Sequence, residues 1–353
     1  MSAKRQDGND VWLVVRLRGL SMRLPRRSLP VMAVLLALLA TMTVLSVSQG
    51  ELRIAPFEVV RAVVGLDTGN PDHALVVREF RLPRIVLAML VGTALALSGA
   101  ILQGITGNGL AEPGVLGISQ GAGLAAVALL TLSPATSGNL LPAVALLGGL
   151  GAAALIYLLA WDSGSSPMRL LLVGIGVAAV ASALTTYLIV LGGITEVQRA
   201  LLWLTGSVYG RTWGHVRTMG LWLLVLAPCA LLGARALNVL TLGEAPAKAL
   251  GQRVNFARTG LILVAVALAS GAVAMAGAIS FVGLVAPHVA RRLVGPAHEG
   301  LLPVSALFGA LLVLVADLIG RTVIAPAQLP VGIVTAVIGA PYLLYLLLRG
   351  RSA

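Results

Sequence analysis

The sequence predicts an all-α polytopic membrane protein with about ten transmembrane helices, and three observations lead to that prediction. Of the 353 residues, 58% are hydrophobic and 11% are charged, and the mean hydropathy is +0.97. A soluble domain is typically about 45–50% apolar and about 25% charged, so an ordinary soluble protein is excluded. Apolar stretches approaching the roughly 20 residues of a membrane span recur along the chain. Lys and Arg concentrate in alternate loops between these stretches.

The first apolar stretch, residues 30–47, follows a basic tail at residues 1–28. A cleaved signal peptide has a similar pattern, but its apolar core is usually only about 7–15 residues long. We therefore expect an uncleaved first span. A more polar segment, residues 49–79, follows as a predicted loop, and Pro56 predicts a short helix opening there.

Nine further spans can be drawn from residue 85 onward. Their approximate limits are 85–106, 115–132, 140–160, 170–191, 218–235, 259–277, 279–290, 300–319 and 331–348. The stretch at 279–290 is too short to cross a bilayer as a straight helix. We expect it to pack inside the bundle, because unpaired backbone groups are not tolerated against lipid.

The spans form a single predicted domain, residues 29–349, followed by a short end at residues 350–353. Small residues crowd the segments GTALALSGA and GGLGAAA, as close helix packing in lipid requires. No long linker divides the chain.

The distribution of basic residues predicts which loops face the cytoplasm. With the amino terminus inside, inner segments carry 16 of the 25 Lys and Arg, and outer segments carry 9. The positive-inside rule then places both termini in the cytoplasm. The net charge of +12 does not indicate nucleic-acid binding, because the stretches between the charges are apolar. The outer arginines still require an explanation.

Residue types that support catalysis or metal binding are sparse. The chain has one cysteine, Cys229, and four scattered histidines, so we expect no metal site, no catalytic residue and no cofactor bound by this chain. Ser119 lies in a G-x-S-x-G match, but at the start of a predicted span, where a packing turn explains it better than an intramembrane hydrolase. The spans hold almost no acids except Asp317, which disfavours a proton-coupled carrier without excluding it.

Three segments carry a family resemblance. They are Arg81-Leu82-Pro83-Arg84 with GTALALSGAILQGITGNGLAEPGVLGISQGAG, then LNVLTLGEAPAKALGQRV at 237–254, then GAISFVGLVAPHVARRL at 277–293 with ADLIGR and QLPVGIVTAVIGAPYLLYLLLR. From about residue 54 to residue 349 the chain resembles the FecCD family of ABC importer permeases, which move ferric siderophores, haem or cobalamin.

The resemblance implies the type II importer permease architecture with ten spans. It also implies a dimer with a second, identical or related permease subunit. The other implied partners are two cytoplasmic ATP-binding subunits, which hold ATP and Mg, and an extracytoplasmic substrate-binding protein. The expected function is alternating-access import of ferric siderophores across the bacterial cytoplasmic membrane, by a subunit without its own ATPase activity. Cobalamin or haem is the alternative cargo.

The loop at 237–254 resembles the family's coupling helix, which sits in a cleft of the ATPase subunit. The residues expected to couple to the ATPase are Leu242, Gly243, Glu244, Ala245, Ala247 and Gly251. A short helix ending at Gly251 is also predicted from the residues themselves. Pro246 fits only in its first turn.

The outer arginines match family positions that receive glutamates from the binding protein. The three expected docking residues are Arg81, Arg84 and Arg321. Arginine suits this role because its planar fork pairs a carboxylate bidentately. Lipid-headgroup anchoring is the alternative explanation. Asp317 lies four residues before Arg321, so the two side chains can pair on one helical face.

The segment at 108–114 resembles a family turn that narrows the cytoplasmic exit. Asn108 and Leu110 are the expected gate residues, and Glu112 is expected to cap or pair locally. Gly109 replaces the usual proline, which predicts a looser backbone. His288, beside Arg291 and Arg292, is expected to be a packing group rather than an iron ligand.

Overall fold

The computed structural model describes residues 12–17, 20–50, 52, 54–64, 66, 71–114, 117–133, 137–160 and 167–350. Apart from one hairpin, the described residues form helices joined by short turns. The prediction of a helical membrane protein is therefore confirmed. Parts of the predicted tail, of the polar loop and of the carboxyl end, including Arg53, Asp67 and residues 351–353, lie outside the described residues.

A two-stranded antiparallel hairpin precedes the first helix, where only a basic tail was predicted. Strand β1 (Trp12–Leu17) pairs with β2 (Leu20–Pro25), and Trp12 lies opposite Pro25. Val14 and Val15 favour a strand, but the surrounding arginines conceal this short signal in a hydropathy profile. The hairpin ends against the bundle, where the Ser28 hydroxyl donates a hydrogen bond to the Pro25 carbonyl.

Fifteen helices follow in the described residues. In chain order they are α1 (Ser28–Ser48), α2 (Pro56–Val64), α3 (Pro71–Leu75), α4 (Leu82–Thr106), α5 (Ile118–Leu132), α6 (Ser137–Ala160), α7 (Pro167–Leu191), α8 (Ile194–Leu204), α9 (Trp213–Leu232), α10 (Ala234–Leu240), α11 (Glu244–Ala249), α12 (Val254–Ala276), α13 (Val282–Val294), α14 (His298–Thr322) and α15 (Val331–Gly350). Helix α2 confirms the helix predicted at Pro56.

The ten predicted spans correspond to ten of these helices. Eight helices among the described residues are long and apolar enough to cross a membrane. The other two are α5, with 15 residues, and α13, with 13 residues. The short span predicted at 279–290 is therefore α13, and most of its residues are buried inside the bundle, as expected.

One boundary differs from the prediction. A π-helical segment, Val76–Arg81, joins α3 to α4, so the second span is a continuous helix from Asp72 to Thr106. Its first turns are polar, which is why the sequence predicted a loop there. The extension places Arg81 and Arg84 along one helix instead of at a loop junction.

The two ends of the bundle are distinguished by residues of the predicted sites. We call the end that carries α11 the Glu244 end and the opposite end the Arg84 end. Helix α4 begins at the Arg84 end and α14 runs antiparallel to it. Helix α1 begins at the Glu244 end, where Gly300 packs against Pro25 and Ser28.

Helices α4 and α14 pack through glycine, and α4 is the most enclosed span. A Cβ atom on Gly92 would stand 2.2 Å from the Gly309 carbonyl oxygen. Such contact distances require glycine on both helices. The tight packing predicted from the small residues is confirmed here, and it holds α4 and α14 together as one unit.

Helix α13 packs against α4 in the same way. A Cβ atom on Gly99 would meet the Gly283 carbonyl oxygen at 1.9 Å. Because Gly283 is the second residue of α13, this short helix begins part-way along α4 rather than at either end of the bundle. The amino-terminal end of α13 therefore lies inside the bundle.

Candidate functional site

The predicted coupling segment folds as a short exposed helix at the Glu244 end. Helix α11 follows Gly243, whose φ of +99° requires glycine, and it ends before Gly251, with a φ of +78°. Pro246 is the third residue of the helix and so lies in its first turn, as predicted. Leu242 and Leu250 flank α11 and are 59% and 65% exposed. Two exposed leucines beside a short helix make a small apolar contact surface.

Glu244 links α11 to the bundle. Its carboxylate lies 2.8 Å from Lys248 Nζ and 3.5 Å from Arg258 Nη2 on α12. The hydrogen bond and charge of Lys248, followed by the charge of Arg258, lower the pKa of the Glu244 carboxyl. Glu244 is therefore anionic at neutral pH and half-exposed, with an ion pair that orients the helix.

Ala247 differs from the other residues predicted to contact the ATPase. Its side chain is completely buried, whereas Ala245 and Gly251 are exposed. Ala247 thus faces its own bundle, and its small size lets α11 pack closely there. Its contribution to contact with the ATPase stays a prediction, and in this conformation its side chain is enclosed by its own chain.

The helix before the coupling segment is tied to the start of α14. Asn238 on α10 donates from Nδ2 to Glu299 Oε2 at 2.6 Å, and its Oδ1 accepts from the His298 backbone N–H at 2.9 Å. These two hydrogen bonds join α10 to the start of α14, which reaches the Arg84 end. This contact was not predicted from the sequence, where its only signal is three polar residues near predicted span boundaries, Asn238, His298 and Glu299.

The predicted gate residues lie in the turn that follows α4. Gly107 ends the helix in the left-handed region, at φ +62°. Asn108 Oδ1 accepts a hydrogen bond from the Leu110 backbone N–H at 2.9 Å, and its own carbonyl accepts from Ala111. Asn108 thus shapes the turn, while the Leu110 side chain is 38% exposed.

Gly109 has room for a side chain. A Cβ atom there would meet only Arg291 Nη1, at an ordinary contact distance of 3.9 Å. Its φ lies outside the left-handed region that requires glycine, unlike that of Gly107. The turn geometry therefore does not demand glycine at position 109, and the looser backbone expected from this residue stays a prediction.

The turn that holds the predicted gate residues, 108–114, which we call the gate turn, is attached to the start of α13. Glu112 is buried, and its carboxylate accepts a hydrogen bond from the Phe281 backbone N–H, at the residue that caps α13. Phe281 has a φ of +68°, a strained value for a bulky residue. Pro113 packs on Gly283. A movement of the gate turn must therefore move α13 or break this cap.

A lone glutamine in α4 adds a second link to α13. Gln103 donates from Nε2 to the Gly283 carbonyl at 3.3 Å, and Arg291 Nη1 donates to Gln103 Oε1 at 3.4 Å.

His288 lies on α13, as Arg291 does. It makes an edge-to-face contact with Tyr342, with ring centroids 5.7 Å apart. This contact is of the packing kind expected for His288.

At the Arg84 end, Asp317 is the centre of an arginine cluster. The Asp317 side chain has no exposure; its Oδ1 lies 2.8 Å from Arg84 Nη2 and its Oδ2 lies 3.3 Å from Arg321 Nε. The pairing of Asp317 with Arg321 confirms the sequence prediction. Arg84 also donates to Gln328 Oε1 at 2.7 Å and stacks over Tyr209.

The three predicted docking arginines are all engaged within the chain. Arg81 donates to the backbone carbonyls of Val47 and Leu52. Arg321 donates to the Ser46 carbonyl at 2.7 Å. The side chains of Arg84 and Arg321 are 10% and 7% exposed. In this conformation the three guanidinium groups are thus bound within the chain, and their docking role stays a prediction.

Comparison with known proteins adds a family and close relatives. A model of the FecCD transport family matches residues 35–349. The achromobactin transport system permease protein CbrC of Dickeya dadantii is 45% identical over 98% of this chain and 99% of its own length. The iron(3+)-hydroxamate import system permease protein FhuG of Bacillus subtilis is 43% identical over 92% of this chain and 98% of its own length.

A solved structure has the same fold. It is described as an inward-facing conformation of a metal-chelate type ABC transporter, with a TM-score of 0.82 and 31% identity. The match covers 91% of this chain and 99% of the solved chain. The likeness therefore extends over the whole bundle.

Proposed function

The chain belongs to the FecCD transport family, and from that membership we propose that it is the membrane-spanning permease subunit of an ATP-driven importer of ferric siderophores. The observation that supports this most strongly is the end-to-end likeness to CbrC, the achromobactin permease protein, at 45% identity. The chain is a multi-pass membrane transport protein. The cargo, the partner subunits and the orientation of the termini belong to the proposal.

The proposed mechanism is alternating access driven by a partner. Two ATP-binding subunits dock at the cytoplasmic face of the permease dimer, and one of them receives α11 of this chain. When the two subunits close on ATP, α11 is displaced. Leu242 and Leu250 supply exposed apolar contacts, and Glu244 keeps α11 fixed to α12 through Arg258. A rigid body of this kind transmits movement without local deformation.

The displacement of α11 reaches the gate turn through α10, α14 and α4. The Asn238 contacts pass movement from α10 to α14, and the Gly92–Gly309 contact carries α4 with it. Because Glu112 and Gln103 join the gate turn and α4 to α13, these elements shift together. The exit beside Leu110 then opens or closes.

The external partner is proposed to be a substrate-binding protein that docks at the Arg84 end. At that end Asp317 pairs with Arg84 and Arg321, and Arg81 donates to the Val47 and Leu52 carbonyls. Approaching carboxylates would compete with Asp317 and with backbone carbonyls for these guanidinium groups. Such contacts contribute orientation and encounter more than affinity.

Uptake of labelled iron tests the proposal. Iron-starved cells lacking this gene would be supplied with a panel of ⁵⁵Fe-labelled siderophores, with cobalamin as the parallel solute. We expect uptake of at least one siderophore to be lost, restored by the intact gene and not by a Glu244→Arg variant. Lost cobalamin uptake with unchanged iron uptake would overturn the cargo. Uptake that resists orthovanadate and collapses with an uncoupler would favour a proton-coupled carrier instead.

A further inference from the structure

Helix α2, at the Arg84 end, carries large apolar side chains that the described part of the chain leaves uncovered. Phe57, Val60 and Val64 are 72%, 49% and 69% exposed. They are spaced by three and four residues, so they form one stripe along the helix, which we call the α2 stripe. Helix α2 has nine residues and is too short to span a membrane. An exposed apolar surface outside the spans indicates a contact with a partner or with lipid.

The other sides of α2 have different surroundings. Val59 is buried, in one cluster with Val47 of α1. Glu58 and Arg61 form a polar side, and the Glu58 carboxylate lies 3.1 Å from Nδ1 of His73 on α3. Helix α2 thus has one side against the bundle, one polar side and one exposed apolar side. This division is typical of a helix that lies in the plane of a membrane interface.

The packing of α2 on α1 sets its depth in the membrane. Helix α1 has 21 residues, which gives a length of about 32 Å, close to the roughly 30 Å of a hydrocarbon core. Val47 is next to the last residue of α1. Since Val59 shares its buried cluster, α2 lies where the hydrocarbon ends and the headgroups begin. Val34 and Leu36 are exposed on the outward side of α1, so the lipid-facing surface of α1 ends beside α2.

The aromatic and cationic groups at this level are of the interfacial kind. Arg61 Cζ lies 5.6 Å from the centre of the Phe57 ring, so its charge borders the α2 stripe. No acidic side chain in the described part of the chain pairs with Arg61. Trp213 begins α9 at the same end, and its indole N–H donates to the Arg78 carbonyl at 2.8 Å. Tryptophan is enriched where spans meet headgroups, and the arginine fork suits a phosphate.

We propose that α2 binds the phospholipid surface at the Arg84 end, with the α2 stripe inserted below the headgroups and Arg61 bound to a lipid phosphate. A helix of this kind buries its apolar side about 5–10 Å into the boundary between headgroups and acyl chains. Arg78 Nε donates to the Ala62 carbonyl at 2.7 Å, and Arg78 shares its π-helical segment with Arg81. The lipid contact therefore also holds the segment that carries Arg81. This role goes beyond the proposed function and does not depend on the cargo.

Fluorescence quenching in the assembled transporter tests the lipid contact. A Cys229→Ser background removes the chain's single cysteine, and a bimane label is then attached at Phe57→Cys or at Val64→Cys. The matched control is Glu79→Cys, because Glu79 is also exposed at this end but is charged. The complete complex is reconstituted in vesicles of phosphatidylcholine and phosphatidylglycerol. Quenchers are lipids with a nitroxide near the headgroup or deep in the acyl chain, and iodide in the water.

The label at Phe57→Cys should report the interface. We expect the shallow nitroxide to quench it at least about twofold more than the label at Glu79→Cys, because the α2 stripe lies just beneath the headgroups. The deep nitroxide should quench it less than the shallow one, and iodide should quench the Glu79→Cys label more strongly. With the label at Val64→Cys, Arg61→Glu should lower quenching by the shallow nitroxide by about half, whereas Arg61→Lys should retain it, because only a cation binds phosphate.

Equal quenching of the Phe57→Cys and Glu79→Cys labels by the shallow nitroxide would overturn the lipid contact. Protection from iodide that appears only when the loaded binding protein is added would assign the α2 stripe to that partner and would also overturn it. A label shielded from both lipid nitroxides and iodide would instead place the second permease subunit there. Unchanged quenching in the Arg61→Glu variant would exclude the phosphate contact. Because quenching requires no uptake, its outcome is distinguishable from failure of the proposed function.

Discussion

Arg84 and Asp317 form a buried ion pair that joins the start of α4 to the end of α14, with Nη2 2.8 Å from Oδ1. The two residues are 233 positions apart in the sequence. The pair closes the Arg84 end of the two helices that Gly92 and Gly309 hold together at their middle. Asp317 is shared with Arg321, so a single carboxylate balances two guanidinium groups.

Removing the charge of Asp317 should destabilise the permease. An Asp317→Asn substitution leaves Arg84 and Arg321 without a counter-charge in a site with no exposure of the carboxylate. Breaking one partner of a buried pair typically costs about 3–5 kcal/mol. Thermal unfolding of the purified permease in detergent measures the loss. The exposed Glu79→Gln variant is the control, and equal midpoints for the two variants would contradict the account.

Docking of the binding protein should depend on Arg321 through its charge. An Arg321→Gln variant is expected to weaken docking by about 1 kcal/mol or less, because the guanidinium must exchange Asp317 and the Ser46 carbonyl for a carboxylate of the binding protein. It should also reduce the salt dependence of binding. Binding of the loaded binding protein to the reconstituted complex measures both. A Ser46→Ala variant removes an internal partner of Arg321 without changing charge, and it should dock normally. Equal weakening by both variants would assign Arg321 a structural role only.

A charge swap separates the two possible roles of Glu244. Glu244→Arg alone loses the pair with Arg258, whereas Glu244→Arg combined with Arg258→Glu restores it with reversed charges. If Glu244 also meets the ATPase, the double variant should bind the ATP-binding subunits as poorly as the single variant. Co-purification of the subunits measures this. Full recovery in the double variant would restrict Glu244 to orienting α11.

Glu112 should couple the gate turn to α13 through its acceptor oxygen. Glu112→Gln keeps a carbonyl oxygen that can accept from Phe281, whereas Glu112→Leu leaves that buried N–H unsatisfied, at a cost of about 1–3 kcal/mol. We expect the leucine variant to transport less iron per ATP hydrolysed, and the glutamine variant to stay near the wild type. Identical ratios for both variants would rule out the cap as a coupling element.

The sequence predicted the parts of this protein that depend on local pattern. The bilayer requires long apolar stretches, so hydropathy located the spans, and the shortness of the stretch at 279–290 marked α13 as a buried short helix. The coupling segment was also predictable, because Gly243 and Gly251 bound a short helix on either side. Small residues indicated close packing, although not which helices would meet.

The relationships between distant residues could not be predicted in the same way. No local pattern relates Arg84 to Gln328 or Asn238 to His298, since these contacts depend on how the helices are arranged. The burial of Ala247 depends on how α11 packs against the rest of the chain. The polar residues between Asp72 and Arg81 indicated a loop, but the chain continues as a helix because α4 extends it. The hairpin before α1 gave only a short signal among arginines.

The central claim is that this bundle imports a ferric chelate with energy from ATP on partner subunits. The most direct measurement is ⁵⁵Fe-siderophore uptake into proteoliposomes that contain the complete complex, with the loaded binding protein outside and ATP enclosed. The account predicts accumulation that requires ATP, stops with orthovanadate and is abolished by Glu244→Arg. Accumulation without ATP that follows an imposed proton gradient would contradict it.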